Sequence, residues 1–204
     1  MKWQTTRAFA MTALIGFFGF GLADTHAGIE VRGSIYKKGG SAPITGMIRA
    51  LPSSRKYVVT QGNITMEIDA YTVERVETAK PAELDPAVRQ LSGNPAAAVA
   101  PLKKIVDDYK MFPWGVAAGR YLIDAYVRSK QPAEAVRAAE AVIADDFTAK
   151  ADPEFLTKYW EAMIGADREA GLESSLVEAI QKGPREVAAV AFIKRGDIHK
   201  KKGN

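Results

Sequence analysis

The period of the hydrophobic pattern changes once along this chain, and that change constrains the fold more than any single motif. From Ile29 to about Val76, apolar residues recur at every second position. In "NITMEIDA", Ile64, Met66 and Ile68 alternate with Thr65, Glu67 and Asp69, and in "IEVRGSIY", Ile29 and Val31 alternate with Glu30 and Arg32. Period two is the signature of half-buried strands. "KKGGSAP" and "LPSSRK" supply turn residues, "GMIRAL" and "KYVVT" further short strands, and "TVERVET" a last one. About five short strands in roughly fifty residues predict a small antiparallel barrel or curled sheet.

After "KPAELDP" the chain becomes Ala-rich and helix-patterned, punctuated at "SGNP", "MFPWG", "SKQP", "KADP", "EAG" and "QKGP". Six breaks divide this part into about seven helices. Pro95, Pro132, Pro153 and Pro184 each fall where a helix would begin, the one place where proline's missing N–H and fixed φ do no harm. The expected fold class is therefore α+β: a barrel-like β domain over residues 28–78, then an all-α array over 83–204, with the boundary near 79–86.

The N-terminus is set apart from both. Lys2 and Arg7 precede the apolar run Ala8 to Ala23, which has the form of a secretory signal peptide cut after Ala23, or after Ala27 in "THA". The run's sixteen residues are shorter than the ~20 needed to span a bilayer; a retained anchor is the competing reading. With no cysteine in the chain, disulfides, thiol chemistry and lipoprotein anchoring are excluded. Export to a bacterial periplasm or cell envelope is the expected location. Charge sits at the ends: residues 1–23 carry +2 and residues 194–204 carry +4, so of the net +4 the body from 24 to 193 carries −2. A near-neutral body argues against a nucleic-acid partner.

Helices of this length joined by Pro/Gly turns call for a repeat search. In "AAGRYLIDAYVRSKQPAEAVRAAEAVI", Leu122, Ala125 and Tyr126 share one helix face, and Ala135, Ala139 and Val142 face back from the next helix. This stretch resembles a tetratricopeptide repeat: Leu122 and Tyr126 match the large residues of the family's first helix, and Ala135 and Ala139 match positions of its second. Ile123 departs from the pattern, standing where the family prefers glycine. A second match lies in "REVAAVAFIKRGDIHKKKGN", with Gly196 at the helix-crossing glycine and Gly203 ending the first helix. Ile123 to Gly196 is 73 residues, two units of about 36. "PEFLTKYWEAMIGADREAGLESSLVEAIQKG" lies between them, and "ELDPAVRQL" with "PAAAVAPLKKIVDDY" forms a more divergent first pair. The β region resembles SH3-like or Sm-like small barrels more loosely.

The resemblance, covering about residues 83–204, implies a non-enzymatic scaffold that holds a protein or peptide segment in a concave groove. Carried over from the family's usual contact positions, Arg120 and Asp124, Tyr159 and Glu169, and Lys200 are expected to line that groove; ordinary solvated surface is the competing reading. In this register the last repeat lacks its second helix, so "VAAVAFI" is expected to be covered by further chain or by another molecule. An envelope-structural or assembly component, acting through self-association or a membrane tether, is the alternative function.

Chemistry finds little purchase. His26 and His199 are the only histidines, which excludes a catalytic histidine pair or a His-rich metal site. Ser53, Ser54 and Lys56 in "PSSRK" have no recognisable base and read as a turn. "GGS" and "GFFGFG" lack the context of a phosphate loop, and "NIT" at Asn63 is a glycosylation sequon only in a eukaryotic secretory route. Asp107-Asp108 and Asp145-Asp146 are expected to be solvated helix ends. Tyr109, Phe112, Trp114, Tyr121, Tyr126, Tyr159 and Trp160 are expected to fill seams between helices. No catalytic residue, cofactor, metal or small-molecule substrate is expected.

Overall fold

The computed structural model describes residues 29–40 and 42–201; the signal-peptide reading and Gly203 lie outside these residues. Five strands, β1 Glu30–Lys37, β2 Ile44–Leu51, β3 Lys56–Gln61, β4 Ile64–Asp69 and β5 Val73–Thr78, form one antiparallel sheet in the order β4-β3-β2-β1-β5. Seven helices follow: α1 Leu84–Gly93, α2 Pro95–Asp108, α3 Pro113–Arg128, α4 Pro132–Asp145, α5 Pro153–Gly165, α6 Glu169–Lys182 and α7 Arg185–Lys201. The fold class is α+β, and the switch from sheet to helices falls where the hydrophobic period changes.

The sheet is curled but open, which corrects the barrel expectation: β4 and β5 are its two edges and do not pair. Gly33 of β1 lies opposite Gly46 of β2. A Cβ at Gly33 would stand 2.3 Å from the Glu77 carbonyl oxygen, and one at Gly46 2.5 Å from that of Thr60. Paired glycines thus let neighbouring backbones bend inward across the concave face. That face buries Ile35, Ile48, Tyr57, Val59, Ile68 and Val76, and its mouth is filled by Met111 and Phe112 from the turn between α2 and α3. Side chains from the helical part occupy the place that barrel closure would otherwise take. Tyr57 donates a hydrogen bond to the Met111 carbonyl, and Trp114 Nε1 donates to the Thr78 carbonyl at 3.2 Å, so the core of the sheet is closed by the turn between α2 and α3 and bonded to the helical part.

Proline starts four of the helices, α2, α3, α4 and α5, while Pro184 immediately precedes α7. Asn94 and Asp152 cap α2 and α5 by accepting from the backbone N–H of Ala97 and Phe155. A regular repeat underlies the array. α2, α4 and α6 are each 14 residues long and begin at Pro95, Pro132 and Glu169, successive steps of 37 residues. Their buried positions recur at the same step: Ala98, Ala135 and Leu172; Leu102, Ala139 and Leu176; Ile105, Val142 and Ala179. The turns repeat too. Lys130 and Asp167 both adopt left-handed backbone, with φ of 58° and 54°. Gln131 N–H donates to the Tyr126 carbonyl, and Arg168 N–H to that of Met163.

Candidate functional site

The helices form two rows. α3 packs on α1, α5 on α3 and α7 on α5, so that odd-numbered helices are stacked side by side, with α2, α4 and α6 wedged behind them. Polar ties run along the odd-numbered row. Arg120 of α3 pairs with Glu154 of α5 and lies 4.0 Å from Asp152; Asp124 holds Lys158 at 2.7 Å; Glu161 of α5 pairs with Lys194 of α7 at 3.2 Å. The hydrogen-bonded ties, Arg120–Glu154, Asp124–Lys158 and Glu161–Lys194, each join residues 33 or 34 apart in sequence.

Two of the five groove residues expected from sequence, Arg120 and Asp124, meet on this row one turn apart. Both are already engaged across the α3–α5 seam. Tyr159 is 8% exposed and belongs to the helical core, its hydroxyl reaching Glu140 Oε1 of α4 at 3.5 Å. Burial, with the Glu140 charge second, pushes the Tyr159 phenol up to about 12. Glu169 is exposed in the first turn of α6, in the rear row, and Lys200 is exposed on α7.

Sequence reasoning passed over Val127 and Ile164. These are 42% and 47% exposed, 37 residues apart, and each lies three residues beyond a tie residue, Asp124 or Glu161, on the same helix face. The recurring step between the rear helices would have revealed them as equivalent positions. At the sheet end, the row opens into a cleft of about 540 Å³ between β5 and the starts of α3 and α5, where Arg120 and Glu154 face Arg75 and Val73.

The aspartate pairs behave unequally. Asp108 pairs with Lys104, and Asp145 with Lys110 at 2.7 Å, as solvated helix ends do. Asp146 corrects that expectation: it is 2% exposed, and its Oδ1 accepts from the Thr148 N–H at 2.9 Å and hydroxyl at 2.6 Å, capping the 3-10 turn Phe147–Ala151. Burial pushes its carboxyl above the ordinary range, while the bonds from Thr148 pull the other way. Of the aromatics, Phe112 and Trp160 are fully buried; Phe112 packs with the sheet rather than between helices, and Tyr109 touches both the sheet cluster and the cluster of α1, α2 and α3. Gly196, expected at a helix crossing, faces open space; the close approach occurs at Gly119, against Phe155 and Val142.

Among the described residues, no group of three or more His, Cys, Asp or Glu could hold a metal ion, and no helix is long and apolar enough to cross a membrane. No family model matches the chain, and no curated protein and no solved structure is significantly similar to it.

Proposed function

We propose that this chain is a non-enzymatic interaction protein, a curled β-sheet fused to a tetratricopeptide-like array that holds a segment of a partner protein along the α3–α5–α7 row. The observation that carries the reading is the 37-residue recurrence of helix starts and buried positions in α2, α4 and α6, with left-handed turns before α4 and α6. Units that repeat in this way stack into extended surfaces whose regularity suits binding rather than bond chemistry. The N-terminal "MKWQTTR" and the apolar run after it support export, with the periplasm or cell envelope as the place of action.

Arg120 and Asp124 tie α3 to α5, so their substitution would disturb the array and the partner together. Val127 and Ile164 are the cleaner probes. Val127→Glu and Ile164→Glu combined should abolish co-purification of the partner from envelope extract while leaving the circular dichroism spectrum unchanged. Ile64→Glu on the sheet edge, where Ile64 is 61% exposed, should retain the partner. Retention of every partner by the Val127/Ile164 variant would refute the row as the binding surface.

A further inference from the structure

The helices of the stacked row use two faces, and among the described residues nothing covers the second face of α7. The first face looks back to the preceding hairpin: Ala118, Leu122 and Ala125 in α3, then Phe155, Tyr159 and Ala162 in α5, all buried. α7 starts 32 residues after α5, and the same step leads to Val187 and Ala191, also fully buried, and to Lys194, which is tied to Glu161. The second face meets the hairpin's own rear helix. Ile123 of α3 clusters with Ala135, Val136 and Ala139 of α4, and Trp160 of α5 donates its Nε1 hydrogen to Ser175 of α6. The position 32 residues beyond Trp160 is Phe192.

Ile123 and Trp160 are 1% and 0% exposed, whereas Phe192 is 68% exposed and Ile193 beside it 65%. Gly196, one turn on, would admit a Cβ without meeting any atom within 4 Å. Helical spacing sets Ala189, Phe192, Ile193, Gly196 and Lys200 on one side of α7, opposite the face that buries Val187 and Ala191. This stripe continues an interface that the array builds twice already, so its occupant can be read from the two existing examples.

We infer that the exposed stripe of α7 is the docking site for an amphipathic helix supplied by a partner protein, running antiparallel to α7 as a rear helix would. The contact face of that helix carries apolar residues four apart, as Ala135 and Ala139 do on α4 and Leu172 and Leu176 do on α6, so that it can close over Phe192. Its first turn carries an acid. α4 and α6 both place one there, Glu134 and Glu169, and in the antiparallel arrangement that turn lies against the basic end of α7 at Lys200, where it also satisfies the helix dipole. The stripe lies on the far side of α7 from α5, so this inference stands independently of binding along the α3–α5–α7 row.

The test uses the full chain and a synthetic peptide with the sequence of residues 132–145, closed by a lactam on its outer face because an isolated helix of this length is marginal in water. Isothermal titration should give saturable binding that Phe192→Glu or Ile193→Glu weakens by about tenfold or more, as expected when an apolar anchor is replaced by a buried charge, and that Ile64→Glu leaves unchanged. Replacing the peptide's first-turn acid, Glu134, by lysine should weaken binding to the wild type and less so to Lys200→Glu. Absence of binding, or equal binding to the Phe192→Glu chain, would overturn the inference. So would light scattering that shows a dimer of the chain alone which Phe192→Glu dissociates, because the occupant would then be a second copy.

Discussion

Replacing Tyr57 by phenylalanine removes one oxygen from the joint between sheet and helices and little else. The ring is 2% exposed and packs 6.1 Å from Phe112, so the substitution keeps the apolar contact and opens no cavity beyond the hydroxyl. What is lost is the hydrogen bond to the Met111 carbonyl, at a residue held in left-handed backbone with φ of 63°. A buried carbonyl left without a donor costs about 1–3 kcal/mol, against about 0.5–1.5 for a bond whose partners both regain water. We expect a loss of about 1.5 kcal/mol, which for a chain of this size lowers Tm by roughly 3–6 °C. Guanidinium unfolding followed by far-ultraviolet circular dichroism and by tryptophan emission checks the value. Because Met111 and Phe112 of the helical part close the core of the sheet, both signals should move together. A change below about 0.5 kcal/mol, or two separated transitions, would refute the shared joint. Burial also pushes the Tyr57 phenol far above its ordinary value, with the Asp146 charge second. The folded state then keeps the proton longer than the unfolded chain, so stability should fall as pH rises above about 10, and less so in the phenylalanine variant.

Asp146 has a raised folded-state carboxyl, so its contribution to stability should grow as pH falls from neutrality toward the ordinary carboxylate range; the unfolding free energy of the wild type minus that of Asp146→Asn should rise steadily from pH 7 to 4, and a fall would refute the burial argument. Gly46→Ala should lose about 1–3 kcal/mol, because its Cβ would press on the Thr60 carbonyl. By contrast, Gly196→Ala, in a helix interior facing open space, should gain about 1 kcal/mol in the same denaturation assay. A double-mutant cycle on Asp124 and Lys158, whose side chains are 25% and 32% exposed, should return a coupling of about 0.5–1 kcal/mol that shrinks in high salt.

Element types were legible in the chain because their signals are local. Ile64, Met66 and Ile68 alternate, and prolines stand at helix starts, so each segment declares its period without help from distant residues. Closure of the sheet is a different matter, since it turns on whether Met111 and Phe112, far along the chain, enter its mouth. Asp145 and Asp146 are identical in type and adjacent; only the 3-10 turn closed by Thr148 buries one and leaves the other at the surface. The repeat was half legible for a geometric reason. Rear helices keep a constant step of 37 residues, and α3 and α5 keep it with them, but the two-residue link before α7 breaks it and draws Gly196 into a spurious match. Tyr159 illustrates the cost: its place in the family pattern suggested a groove, yet the phase of α5 turns it toward α4.

The most direct test of the account is positional. A photo-crosslinking residue placed in living cells at Val127 or Ile164, on the front row, should yield a covalent adduct with one and the same partner protein. The same residue at Arg137 or Ala144, on the exposed side of the rear helix α4, should yield none. Adducts from α4 that equal or exceed those from the front row would contradict a partner held along α3, α5 and α7.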